Sequence, residues 1–283
     1  MKPNTQVVYV NHVSRVFHRA VPGVLIDKPE AVDVRLARAQ WWDFVHTILG
    51  WCGVHVIPLY MNQSFGDGRY VEDALRLLRL PNGELLMIEM PFGHRERKPE
   101  RVQAVSSISE ALNHEDIALH HIINTPDDML GDGGDTYYSP SLQTLFVGIS
   151  SRTHSLFADF LEQELTQYQV KVCRVEVEGK NCLHLITGSS LLSDYQVAIH
   201  RPSFTALGVK ALHQSGLEIF EIDAEEPNGA NFFEANGRLI GDAKSSPRSC
   251  EIISARFELK SVPYDQSAVK NGSFTCDTVK VPV

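Results

Sequence analysis

Several recognisable chemistries are missing from this chain. It has no C-x-x-C pair, and its five cysteines, Cys52, Cys173, Cys182, Cys250 and Cys276, are odd in number and widely spaced. That pattern argues against a disulfide framework and a structural zinc site, and for a reducing, cytoplasmic setting. Neither G-x-G-x-x-G nor a Walker-type loop occurs, which argues against nucleotide chemistry. No apolar run approaches the roughly 18–20 residues that a membrane span needs. The N-terminal Gln6-Val7-Val8-Tyr9-Val10 reads as a strand and not as a signal peptide. Positive charge is also scarce: a formal net charge of −9 excludes a broad electrostatic grip on nucleic acid or an anionic membrane. The same acidity suits a small cationic partner.

What is present is enough for a large core. The 283 residues are 43% hydrophobic and 22% charged, which are ordinary proportions for a folded enzyme. Strand-like runs recur from end to end, at Gln6–Val10, Val54–Leu59, Gly83–Glu89, Leu145–Ser150, Val170–Glu176, Cys182–Thr187, Gln196–His200, Leu217–Ile222 and Phe274–Val281. Helical segments alternate with them over Asp33–Leu49, after a Thr153 cap, and from Pro202-Ser203. Asn236-Gly237 marks a hairpin turn. With no linker, low-complexity stretch or fixed-period repeat, residues 1–283 read as one α/β domain. The oligomeric state stays open, a homodimer included.

The candidate chemistry is scattered. Cys276 ends the run Gly272-Ser273-Phe274-Thr275-Cys276; a strand cysteine is ordinarily packing, and a nucleophilic one needs a neighbouring cation. His184, in the apolar run Cys182–Ile186, is either a core histidine or a general acid and base shielded from water. Glu72-Asp73 can serve a helix dipole or pair with a guanidinium fork. Asp132 and Asp135 flank two glycines but lack the EF-hand spacing and its terminal glutamate, so no metal is expected there. His120-His121 lacks a third zinc ligand at a recognisable spacing. Arg97-Lys98 and Arg152 are either solvated charges or a grip for a carboxylate.

Taken in order, these segments resemble the dimethylarginine dimethylaminohydrolases, part of the wider guanidino-group-modifying superfamily with the pentein fold. Gly66-Asp67-Gly68-Arg69-Tyr70-Val71-Glu72-Asp73 resembles P-D-x-x-F-V-E-D, and Arg97-Lys98-Pro99-Glu100 resembles R-R-x-E. Asp132-Gly133-Gly134-Asp135 matches [DE]-G-G-D, and Phe146–Thr153 resembles F-[FVIY]-[VI]-G-x-S-x-R-T. Leu183-His184-Leu185 matches L-H-L, Asn228–Asn231 resembles A-A-N, and Gly272–Cys276 resembles G-x-x-[ST]-C.

The resemblance implies a five-bladed α/β propeller of ββαβ-like units around a central site. It also implies hydrolysis of an N-methylated arginine to citrulline with no metal or organic cofactor. Cys276 would be the nucleophile and His184 the proton shuttle, with Asp73 and Asp132 on the guanidinium. Asp67 and Tyr70 would line the pocket near the substrate's amino end, Arg97 and Arg152 would hold its carboxylate, and Glu72 would stand behind them. Gly23–Ile26 is the place for a lid.

The chain departs from the pattern at Met90-Pro91-Phe92-Gly93, where the family has R-P-G-A. Tyr70 replaces a Phe, His154 an Asn and Asn271 an Asp. Arginine-acting relatives carry H-x-D where this chain has His184-Leu185-Ile186. An aliphatic Ile186 offers no acceptor to a free N–H and favours an alkylated guanidinium. Arginine or agmatine as substrate, or a non-catalytic guanidine-binding protein, are the alternatives.

Overall fold

The computed structural model describes residues 6–15, 17, 32–61, 64–65, 67–92, 97–179, 182–268 and 272–282. Among these, fifteen strands form five sheets of three strands each. Four sheets share one plan, in which an antiparallel hairpin is followed by a helix and a third strand returning parallel to the second. The first consists of β3 (Leu75–Arg79), β4 (Leu85–Glu89), helix α2 (Lys98–His114) and β5 (His121–Ile123). The next is β6 (Thr136–Ser139), β7 (Thr144–Ile149), α3 (Ser155–Thr166) and β8 (Lys171–Glu176). Then come β9 (Ser189–Ser193), β10 (Gln196–Ile199), α5 (Ala206–Gln214) and β11 (Glu218–Glu221). The last of the four is β12 (Phe233–Ala235), β13 (Arg238–Gly241), α6 (Pro247–Ser254) and β14 (Leu259–Ser261).

The fifth sheet joins the chain ends. β1 (Val7–Asn11) runs antiparallel to β15 (Thr278–Val281), with Val7 opposite Val281, and parallel to β2 (His55–Leu59) after helix α1 (Val34–Thr47). Neighbouring units touch in a ring. β15 meets β3, β3 meets β6, and the helical turn α4 (Leu185–Gly188) spans β6 and β9. β9 meets β12, and β13 meets the turn 48–52 that follows α1. The ring is a propeller of five ββαβ units.

Central strands are buried along most of their length, as strands covered on both faces must be: β1, β4 and β7 are apolar at nearly every position. Trp41 and Phe44 of α1 join Phe233 and Phe274 in the central cluster, while α2, α3 and α6 each cap an apolar cluster of their own. Each fully buried large side chain of this kind stabilises the fold by roughly 1.5–3 kcal/mol. Asn236 and Gly237, at φ 51° and 73°, make the left-handed two-residue turn that their sequence predicts. Asp33 caps α1, its Oδ1 accepting from the Arg35 and Leu36 amides at 2.9 and 3.1 Å.

Some local expectations are corrected. The run 182–187 is no strand: the Leu185 N–H donates to Asp135 Oδ1 at 2.8 Å and the Thr187 N–H to the His184 carbonyl at 3.0 Å, so side-chain and turn bonds replace a ladder. Similarly β15 begins only at Thr278, which leaves Cys276 in the preceding turn. Thr153 does not cap α3. His154 does, and the Thr153 hydroxyl instead accepts the Asp132 amide at 3.0 Å. Pro202-Ser203 forms a short 3-10 turn, and α5 starts after Thr205, whose Oγ1 accepts the Gly208 amide. Strands β5, β6, β9 and β14, short or polar, and β3, interrupted by Arg76 and ended by Arg79, are not legible in the sequence. The lid segment Gly23–Ile26 lies outside the described residues.

Helix α5 lies so close to β8 that a Cβ on Gly208 would come within 2.3 Å of the Glu176 carbonyl oxygen, a backbone atom that cannot rotate away. Gly208→Ala is therefore expected to destabilise the fold by about 1–3 kcal/mol. Urea unfolding checks this: the midpoint should fall at unchanged slope.

Candidate active site

Each unit places the same kind of segment at the same place, the few residues that lead into the first strand of its hairpin. Glu72 and Asp73 sit in the 3-10 turn before β3, and Asp132 to Asp135 lead into β6. His184 precedes α4 and β9, Asn231 precedes β12, and Cys276 precedes β15. These five lead-in segments converge at one end of the propeller, which is how residues spread over some two hundred positions of chain become neighbours.

Cys276 is 4% exposed, and its carbonyl accepts the Glu72 amide at 3.3 Å, which ties the cysteine turn to the segment bearing Asp73. Ser273 Oγ lies 3.1 Å from its Sγ. Burial first, and then the charges of Asp73 and Glu72, push the Cys276 thiol well above its ordinary pKa. Asp73 is buried, with Oδ2 accepting from Arg97 Nη1 at 2.6 Å, while Oδ1 has no partner among the described residues. Arg97 is itself enclosed. Its Nε donates to Glu100 Oε2 at 2.9 Å, its Nη2 to the Asp67 carbonyl at 3.3 Å, and its guanidinium stacks 4.7 Å from the Phe92 ring. Phe92 holds a left-handed φ of 63°, at the position where the related pattern has glycine, a conformation that costs a bulky residue about 1–3 kcal/mol.

Glu72 gives Oε1 to Arg76 Nη1 at 2.8 Å, and burial, partly opposed by Arg76, raises its carboxyl to about 7. Tyr70 is buried against Gly272, where a Cβ would come within 2.2 Å of the phenol oxygen. Asp67 is buried beside it, its carbonyl accepting the Tyr70 amide at 2.9 Å.

On the other side, His184 Nε2 lies 3.1 Å from Asp132 Oδ2, and Arg152 Nη1 lies 3.7 Å from the same oxygen. Burial alone would lower the His184 pKa. The hydrogen bond with Asp132 and the charges of Asp135 and Asp73 outweigh burial and raise it to about 9. Gly134 separates the two halves of the site: a Cβ there would fall 2.7 Å from His184 Nδ1 and 2.8 Å from Asp73 Oδ1. The imidazole and the unpartnered carboxylate oxygen thus face each other across a position that has no room for a side chain.

The structure gathers all nine sequence-predicted residues at this end of the fold. It also adds residues that sequence reasoning passed over. Asp135, fully buried, accepts Leu185 N–H at 2.8 Å and Ser150 Oγ–H at 2.7 Å, and so holds the His184 segment in place. Asn231 donates to the Ile186 carbonyl at 2.7 Å and to Thr275 Oγ1 at 3.0 Å, bridging the histidine and cysteine segments. Asp277 and Arg69 form a fully buried ion pair beside Cys276. The signal for the first two was their place in the quoted motifs; for Asp277 it was only a carboxylate directly following the cysteine. Among the described residues no group of three His, Cys, Asp or Glu is arranged to hold a metal ion. His120 and His121 serve Leu85 N–H and Glu84 separately.

A histidine with a folded-state pKa near 9, above the unfolded value near 6.5, stabilises the fold below about pH 6.5 and loses that contribution as pH rises through 9. The difference is on the order of 3 kcal/mol. Unfolding free energy in urea is expected to decline between pH 6.5 and 9. In Asp132→Asn the slope should flatten, and the His184 pKa read by NMR should drop by about one unit or more.

No protein-family profile and no curated protein sequence matches the chain. Solved structures do. Dimethylarginine dimethylaminohydrolase from Pseudomonas aeruginosa, a cysteine-to-serine mutant complexed with citrulline, superposes with a TM-score of 0.80 at 19% identity, covering 98% of this chain and 99% of its own. A histidine-to-glycine dimethylarginine dimethylaminohydrolase, in its adduct with S-methyl-L-thiocitrulline, gives 0.78 at 20% identity and the same coverage. The N-terminal domain of ArgZ, a cyanobacterial arginine dihydrolase bound to product, gives 0.81 at 16% identity, covering 99% of this chain and 98% of that domain. The five-unit α/β propeller of this chain is thus the fold of the dimethylarginine dimethylaminohydrolases and of the ArgZ N-terminal domain.

Proposed function

We propose that this chain is a cysteine-dependent hydrolase of a guanidino compound, with N-methylated arginine as substrate and citrulline and a methylamine as products. One observation carries the reading: a buried carboxylate oxygen, Asp73 Oδ1, without a partner among the described residues, faces the His184 imidazole across Gly134 on a segment hydrogen-bonded to the Cys276 turn. An unpaired buried carboxylate oxygen is costly unless a cationic donor completes it, and a guanidinium N–H is such a donor.

The reaction follows from these groups. The cation placed against Asp73 offsets the negative field that disfavours the Cys276 thiolate, so substrate binding promotes ionisation. The thiolate attacks the guanidinium carbon, forming a C–S bond. His184, protonated at neutral pH, gives its proton to the departing amine as the C–N bond breaks. The neutral imidazole then takes a proton from water, whose oxygen attacks the S-alkylthiouronium carbon. The C–S bond breaks, the thiolate is restored and citrulline leaves. Arg152 and Arg97 are the cations available to a substrate carboxylate. Arg97 must share itself with Asp73 and Glu100, so it also fixes the orientation of Asp73.

The ArgZ domain, with the same fold, makes arginine the alternative substrate. Ile186 favours the methylated one, because an aliphatic side chain two residues after His184 offers no acceptor to a free N–H; it is 3% exposed, and its carbonyl accepts from Asn231, which also bonds Thr275 beside Cys276. On this reading residues 1–283 act as one catalytic domain in the cytoplasm, in keeping with five unpaired cysteines.

Cys276→Ser is expected to bind dimethylarginine but to release citrulline at less than a hundredth of the normal rate, since an alcohol does not ionise here. A colorimetric citrulline assay beside calorimetric binding checks both halves.

Ile186→Asp is expected to shift the ratio of kcat/KM for dimethylarginine over arginine towards arginine by about 5- to 150-fold. Steady-state kinetics on dimethylarginine, monomethylarginine, arginine and agmatine measure it. A wild-type preference for arginine, or an unchanged ratio, would leave only the broader guanidino hydrolase.

A further inference from the structure

The turn that carries Cys276 rests on an ion pair that no motif in the chain specifies. Asp277, the next residue, is fully buried and takes Nε of Arg69 on Oδ1 at 2.8 Å; Arg69 Nη2 and the Tyr264 hydroxyl both reach Oδ2. Arg69 is fully buried too, its Nη2 2.7 Å from the Tyr264 oxygen and its guanidinium 4.9 Å from the Phe17 ring and 5.5 Å from that of Tyr70. Aromatic faces on three sides hold this cation where water cannot. Arg69 and Asp277 occupy unspecified positions: Arg69 is an x of P-D-x-x-F-V-E-D, and Asp277 lies just beyond G-x-x-[ST]-C.

We propose that Arg69 and Asp277 are a positioning pair for the nucleophile, holding the Cys276 turn in place and balancing the charge beside its sulfur. The inference rests on the reading of Cys276 as nucleophile. The groups facing that thiol are otherwise acidic: Asp73 and Glu72 from the turn before β3, and Asp277 from its own turn, with Tyr70 alongside and Ser273 Oγ as a hydrogen-bond partner. His184 approaches from beyond Gly134. Without Arg69, Asp277 would be a carboxylate with no cation of its own, beside Asp73 and Glu72, which have Arg97 and Arg76. Without Asp277, Arg69 would be a buried cation that has lost its carboxylate partner. The pair therefore makes two opposite demands on the thiol, and that opposition is what a merely structural role cannot imitate.

The test is the pH dependence of Cys276 alkylation by iodoacetamide, a neutral reagent, with the labelled peptide identified by mass spectrometry. Full-length wild type, Arg69→Met, Asp277→Asn, Arg69→Lys and the double variant Arg69→Met/Asp277→Asn are compared, each checked for folding by circular dichroism. The midpoint of alkylation is expected to rise by about one pH unit in Arg69→Met and to fall by about one unit in Asp277→Asn. Arg69→Lys and the double variant should stay within about half a unit of wild type. With dimethylarginine as substrate, Arg69→Met should lower kcat about tenfold or more and change KM less than threefold, because the pair acts through the cysteine turn. Midpoints that move the same way in both single variants, or not at all, overturn the proposal. If a single variant does not fold, the double variant and Arg69→Lys decide: a midpoint more than one unit from wild type in either overturns it. Alkylation needs no substrate, so a wild type that hydrolyses no guanidino compound would count against the proposed function and leave this result readable.

Discussion

Seven carboxyl groups, those of Asp67, Glu72, Asp73, Glu100, Asp132, Asp135 and Asp277, are buried together at one end of the propeller, and the fold has to answer each of them with a cation or a hydrogen-bond donor. Arg97 answers Asp73 and Glu100, Arg76 answers Glu72, and Arg69 answers Asp277. Asp132 has His184 and Arg152, and Asp135 has a backbone amide and the Ser150 hydroxyl. The distribution of the donors decides what each acid can do. Asp135 and Asp277 are consumed by structure, whereas Asp73 Oδ1 and Glu72 Oε2 have no hydrogen-bond partner among the described residues.

The same balance sets the protonation states. Burial penalises every charge here, so the direction of each shift depends on the neighbours. His184 lies among aspartates and gains a proton; Cys276 lies among carboxylates and keeps one; Glu72 and Glu100 hover near neutrality despite their arginines.

Five-fold repetition of one ββαβ plan supplies the geometry. The segment before each hairpin faces the centre, so each unit contributes one lead-in and each lead-in carries different side chains. Close packing of these segments requires Gly133 and Gly134: a Cβ on Gly133 would lie 1.9 Å from the Glu72 carbonyl oxygen. The sequence that builds this frame can diverge widely while the frame persists: a structure that superposes with a TM-score of 0.80 is 19% identical.

Much of this was legible before any coordinates. The alternation of strands and helices and the Asn236-Gly237 hairpin gave an α/β chain, and the family resemblance of seven short motifs implied the propeller and named nine candidate residues that the structure places at one end, because each of those signals is local: a period, a turn dipeptide, a fixed spacing. The chain could not announce the strands of three to five residues, such as Leu259–Ser261 and Ser189–Ser193, whose strand character comes from their partners. Nor could it say that 182–187 would turn, because the Asp135 carboxylate that captures the Leu185 amide lies fifty residues away. The Arg69–Asp277 pair, 208 positions apart, was equally hidden. Sequence by itself determined which reactive groups exist and in what order. Only the tertiary structure decided which carboxylate oxygens are spent on neighbours and which have none among the described residues, because that depends on long-range pairing in a buried space.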